Sequence, residues 1–110
     1  MKTSLAFENI HFIQLLASYK NNPTQFKAII AKATDKELSS ITEVILNFLN
    51  GNIKCNKDKI KRHKKFLRFV GDKLKPIKQR KKIILKRGHG VLTTLLSIAI
   101  PTLISMFSKK

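Results

Sequence analysis

Thr34-Asp35-Lys36-Glu37-Leu38-Ser39-Ser40-Ile41-Thr42-Glu43-Val44-Ile45-Leu46-Asn47-Phe48-Leu49-Asn50-Gly51-Asn52 has both ends of a helix written into it. Thr34 and Glu37 form a capping box, in which hydroxyl and carboxylate satisfy backbone N–H groups that the first turn leaves free. Asp35 and Glu37 also place negative charge where the helix dipole favours it. Leu38, Ile41, Val44, Ile45, Phe48 and Leu49 then recur at helical spacing, which puts them on one face. Asn50-Gly51-Asn52 closes the segment, because Gly51 can take the left-handed conformation of a helix C-cap. A helix with one apolar stripe must bury it, and the flanking sequence offers partners.

On the N-terminal side, Leu5, Phe7, Ile10, Phe12, Ile13, Leu16 and Tyr19 make a broad apolar stripe, predicting a helix over about residues 5–20. Asn22 suits an N-cap, with Pro23 at the first helical position and Gln25 placed to complete a capping box. Phe26, Ile29, Ile30 and Ala33 supply the inner face of that second, short helix. On the C-terminal side, Asn56 can cap a helix in which Ile60, Leu67, Val70 and Leu74 share a face, flanked by Phe66 and Phe69, until Pro76 ends or kinks it. The expected fold class is all-α: a small three- to four-helix bundle with a Lys-rich helical extension and a hydrophobic C-terminal helix. Its expected core is Phe12, Leu16, Phe26, Ile29, Leu38, Ile41, Ile45, Phe48, Leu67 and Val70.

Composition narrows the function. The 110 residues carry 23 Lys+Arg against 6 Asp+Glu, a formal charge of +17. That excess points to a polyanionic partner. A hydrophobic share of 43% excludes a purely disordered basic tail, and 4 Gly with 3 Pro leave few turns for a many-stranded β fold. One cysteine, Cys55, excludes an internal disulfide, and with three His there is no zinc-finger ligand set. The N-terminus has no basic stretch followed by an unbroken apolar run, so no secretory leader is expected.

The carboxylates Glu8, Asp35, Glu37, Glu43, Asp58 and Asp72 form no pair suited to acid/base work, so no catalytic residue, cofactor or metal is assigned. Basic neighbours would lower the Cys55 pKa, but the thiol reads as a bystander. His11 falls at the edge of a helix face. His63 and His89 lie in cationic runs, where they would add donors to phosphate.

The charge divides the chain. A near-neutral amphipathic region covers 1–52, a basic region 53–87, a Gly88-His89-Gly90 hinge 88–90, and a hydrophobic C-terminal segment 91–110. Residues 53–90 hold sixteen basic and two acidic side chains, a net charge of +14. Such density repels itself, and phosphate neutralisation relieves that while releasing condensed counterions. The segment has no Tyr or Trp for base stacking and no recognition helix with Asn, Gln and Arg at reading positions. The reading is sequence-independent binding of double-stranded DNA through its phosphates. The assigned contacts are Lys57, Lys59, Lys61, Arg62, Lys64, Lys65, Arg68, Lys75, Lys78, Arg80, Lys81, Lys82, Lys86 and Arg87. Lys61-Arg62-His63-Lys64-Lys65 and Lys78-Gln79-Arg80-Lys81-Lys82 are also spaced like a bipartite nuclear-localisation signal.

Val91–Phe107 is a run of seventeen uncharged residues, the lower limit of about 17–25 for a membrane span. Pro101 would kink it, and its apolar residues go around most of the helix circumference. It is therefore expected to stay outside the globular core, swinging on Gly88 and Gly90. Val91, Leu92, Leu95, Leu96, Ile98, Ile100, Leu103, Ile104 and Phe107 would then dock on a capsid partner, another copy or an anionic membrane. An alternative reading follows: a membrane-active or tail-anchored protein, membrane-associated, acting through residues 91–107.

The basic stretch Lys57–Lys82, then Lys81-Lys82-Ile83-Ile84-Leu85-Lys86-Arg87-Gly88-His89-Gly90, then an apolar run broken by proline, resembles the C-terminal half of the adenovirus core protein X (mu) precursor. It is more similar still to the small basic proteins of Maverick/Polinton-type elements and adintoviruses. The resemblance covers about half of the chain. It implies a virion core protein that condenses double-stranded DNA, is encoded beside capsid genes, and resides in the virion core and the host nucleus. The family's maturation protease prefers an apolar residue where Lys86 stands, and the adenovirus protein is Arg-rich where this chain is Lys-rich. Those are departures from the family pattern.

Overall fold

Seven helices follow one another in the computed structural model, which describes residues 5–108. They are α1 (Leu5–Glu8), α2 (Ile10–Ser18), α3 (Pro23–Lys32), α4 (Asp35–Leu49), α5 (Lys57–Arg62), α6 (Lys64–Val70) and α7 (Ile77–Ser108), with no strand among the described residues. The all-α expectation holds.

The decisive stretch folds as it reads. Thr34 Oγ1 accepts from the Glu37 N–H at 3.1 Å, and Glu37 Oε1 accepts from the Thr34 N–H at 2.9 Å. Gly51 closes α4 at φ 77°, where a side chain would be strained. Asn22 caps α3, its Oδ1 accepting from the Gln25 N–H at 3.1 Å, with Pro23 opening the helix.

The single helix expected over residues 5–20 is two. Asn9 turns its amide onto the Leu5 carbonyl at 2.9 Å, and the backbone leaves helical geometry there. The Asn9 backbone N–H still reaches the same carbonyl at 3.1 Å, so side chain and backbone share it. The first piece is held from outside: the Glu43 carboxylate of α4 accepts from the N–H groups of Leu5 at 3.2 Å and Ala6 at 3.0 Å.

The helix expected from Asn56 to Leu74 also breaks, at His63. Like charges at i, i+4 (Lys57 and Lys61, Lys61 and Lys65, Lys64 and Arg68) each oppose a continuous helix by a few tenths of a kcal/mol. Leu67 and Val70 are buried as expected, but Leu74 lies beyond α6 and is 93% exposed.

The largest correction concerns the C-terminal segment. It does not swing free. α7 runs 32 residues without interruption through Gly88, Gly90 and Pro101, so the hinge is absent. It packs against α1, α2, α3, α4 and α6, and Ile84, Leu92, Leu95, Leu96, Ala99 and Leu103 are buried on it. Its apolar residues face several helices at once, while Gly90, Ser97, Pro101 and Ile104 leave one face of it in solvent. The Cα radius of gyration, 12.9 Å, matches the value of about 13 Å for a compact chain of this length. Val91, Ile98 and Ile100 are half-buried against the same core, while Ile104 is exposed. The side chain of Phe107 lies outside the described residues.

Of the expected core, Ile29 is only half-buried; the other members are buried, and Ile53 joins them at 3% exposure.

Candidate nucleic-acid interface

The basic side chains meet two different fates. On α5 and α6, Lys57, Lys59, Lys61, Arg62, Lys64, Lys65 and Arg68 all stand in solvent. The Asn56 side chain starts this ridge by accepting from the Asp58 N–H at 2.8 Å. Leu67 and Val70 anchor it, so the charged faces of α6 point away from the core. α7 brings Arg87 to the same place. A cleft of about 570 Å³ opens there, lined by Lys61, Arg62, Lys64, Lys65, Arg68 and Arg87, with His63, Phe66 and Val91 between them. No carboxylate lines it. His63, half-buried at the helix break, also borders a smaller depression of about 280 Å³ against Gly90, Val91 and Thr94.

Basic residues at the start of α7 are partly drawn into the fold. Arg80, expected to contact phosphate, is only 8% exposed. Its Nη1 donates to Thr42 Oγ1 at 2.7 Å and its Nε to the Lys75 carbonyl at 3.0 Å. Thr42 in turn donates to the Val70 carbonyl at 3.0 Å. One chain of hydrogen bonds thus ties α7 to α4 and α6, and Arg80 is a structural residue. Lys81 Nζ donates to the Ala31 carbonyl near the end of α3 at 3.0 Å, a favourable place for a cation. Lys75 sits over the Phe69 ring, 5.3 Å from its centroid. Lys78, Lys82 and Lys86 remain exposed, the first two around a shallow depression with Lys81 and Leu85 that is separate from the α5–α6 cleft.

His89 is also corrected. Its Nε2 lies 2.8 Å from the Tyr19 carbonyl, and its ring meets Phe26 edge-on at 5.3 Å, so it fastens α7 to α2 and α3 instead of facing phosphate. At Cys55 the basic surroundings do not prevail. Partial burial pushes its pKa up, and the nearby Lys59 lowers it by less, so the thiol stays protonated at neutral pH.

Two features had little signal in the sequence. Arg87 reaches the α5–α6 ridge only through tertiary packing, since it lies nineteen or more positions from any other cation of that cleft. Thr42 falls on the charged-to-apolar edge of α4, and nothing in its spacing marks it as the acceptor for a buried guanidinium. Comparison with family models, curated proteins and solved structures gives no match to this chain.

Proposed function

We propose that this protein binds double-stranded DNA without sequence preference and condenses it, acting through the α5–α6 ridge and Arg87. The observation that supports this reading best is the cleft in which six cations from two separate parts of the chain converge with no carboxylate among them. Convergence of that kind costs repulsion in the free protein, and phosphates remove it. Exposed Lys and Arg without aromatic platforms favour backbone contact over base reading. Lys78, Lys82 and Lys86 form a second exposed group, which gives one molecule two places to hold duplex and a way to draw segments together. The setting in a virion core and host nucleus, beside capsid proteins, rests on the resemblance of Lys57–Phe107 to the mu-precursor and adintovirus proteins. The protein acts here as a binding module, without catalysis, metal or cofactor.

The test is a salt titration of affinity for unrelated duplexes. Log affinity is expected to fall linearly with log salt, with the same steep slope for each sequence. A flat response, or a strong preference for one sequence, refutes the reading.

The rival, membrane association through residues 91–107, draws on the fact that the helix over Ile77–Met106 is long and apolar enough to cross a bilayer. Leu92, Leu95, Leu96, Ala99 and Leu103 would have to leave the core to do so. Flotation with anionic vesicles separates the two readings: co-flotation with loss of Leu96 amide protection favours the membrane, and neither effect favours DNA.

A further inference from the structure

A second cleft, of about 640 Å³, lies on the other side of the α5–α6 ridge, between the end of α4, the loop after it and α5. Its walls are apolar: Phe48 and Leu49 from α4, Ile53 from the loop, Ile60 from α5, with the Cys55 thiol among them. Its rim is cationic: Lys54, Lys57, Lys61 and Lys64, with no carboxylate in the lining. We propose that this cleft binds a single-chain anionic amphiphile, of the class of a long-chain carboxylate.

Each half of the site suits a different part of one ligand. A duplex phosphate would satisfy the lysines and leave the apolar wall wet. A neutral apolar molecule would cover the wall and leave the lysines unpaired. A carboxylate on a hydrocarbon chain satisfies both, and Leu49, Cys55 and Ile60 are half-buried, so they retain apolar surface for it to cover. Lys57 and Lys61 fall at i and i+4 on α5, and Lys64 opens α6 just past the break at His63, so all three border the same cleft. The volume is that of a small-molecule site, within the usual ~300–1,000 Å³.

The back wall is preformed. Gly51 turns the chain at φ 77°, and the Asn52 and Ile53 N–H groups both donate to the Asn47 carbonyl, at 2.8 and 3.2 Å. The Asn52 side chain adds a bond to Asn47 Oδ1 at 3.0 Å. That clamp sinks Ile53 into the core and fixes the loop, so the ligand need not order it first. The raised Cys55 pKa keeps that wall uncharged.

The test is a methyl-resolved NMR titration of the full chain with laurate below its micelle concentration. Saturable one-to-one binding is expected, with shifts confined to Leu49, Ile53 and Ile60. Dodecyltrimethylammonium, with the same chain and the opposite head, is expected to bind at least tenfold more weakly. Ile60→Asn, at a half-buried position, should weaken laurate at least tenfold while leaving the Ile84 and Leu96 methyl positions and the DNA salt slope unchanged. The wholly exposed pair Lys57→Glu and Lys61→Glu should weaken it by a similar factor. Shifts spread over the whole protein, equal binding of the cationic surfactant, or no effect of either variant overturns the proposal. So does a response seen with phosphatidylglycerol vesicles and absent with monomeric laurate, which would make the ligand a bilayer surface.

Discussion

Lys57–Arg68 and Lys75–Lys82 read alike: both are dense in Lys and Arg, interrupted by apolar residues, and nearly free of acid. The fold treats them in opposite ways. In the first, the cations project into solvent and converge with Arg87 on one cleft. In the second, Arg80 is buried, Lys81 is tied to the Ala31 carbonyl and Lys75 lies over Phe69. A cationic run is therefore not one functional unit. Burying a guanidinium is tolerable only where hydrogen bonds replace water, and Thr42 with the Lys75 carbonyl supplies them.

The contrast can be broken most sharply on the ridge. Replacing Lys61, Arg62, Lys64 and Lys65 by Ala is expected to flatten the DNA salt slope by about 3–4, at ~0.9 per phosphate contact, and to cost roughly a thousandfold in affinity near 0.1 M salt. Urea melting of the same variant should stay within about 0.5 kcal/mol of the parent per site, because these side chains are exposed. An unchanged slope would remove the ridge from the interface.

Arg80→Ala should invert both results. Losing the guanidinium strips Thr42 and the Lys75 carbonyl of their donor inside the fold, at about 2–4 kcal/mol of stability by urea melting. The DNA salt slope should not move. Arg80→Met, which keeps much of the stem packing, should recover part of the loss. A lowered slope with unchanged stability would return Arg80 to the phosphate contacts.

The smallest effect tests whether α7 is one rigid helix. A Cβ at Gly90 would meet open space, and Gly90 does not have positive φ. Gly90→Ala is therefore expected to stabilise by about 0.5–1 kcal/mol through helix propensity alone, read as a raised melting temperature. Were residues 88–90 a working hinge, that substitution would bring no gain. Gly88 is the poorer probe, since a Cβ there would come within 3.0 Å of Ile84 Cγ2 and 3.2 Å of Leu92 Cδ1.

How far the sequence could be read depended on the range of the interaction concerned. The capping box at Thr34 and Glu37, the Asn22 cap and the left-handed Gly51 are contacts within a few residues, and they stand as the sequence predicts. So do the all-helical class, most of the core from Phe12 to Val70, and the regional charge, all of which follow from spacing and composition. Only the tertiary structure decided that residues 91–103 form the centre of the bundle, that Gly88 and Gly90 continue a helix, and that Arg80 points inward. Those outcomes depend on partners far along the chain, such as Thr42 for Arg80, 38 positions away, and Tyr19 for His89, 70 positions away. An all-round apolar helix looks the same in sequence whether lipid, another chain or its own bundle surrounds it. Here five helices of the same chain pack against it, and burial against them outweighs the local preference of glycine for a break.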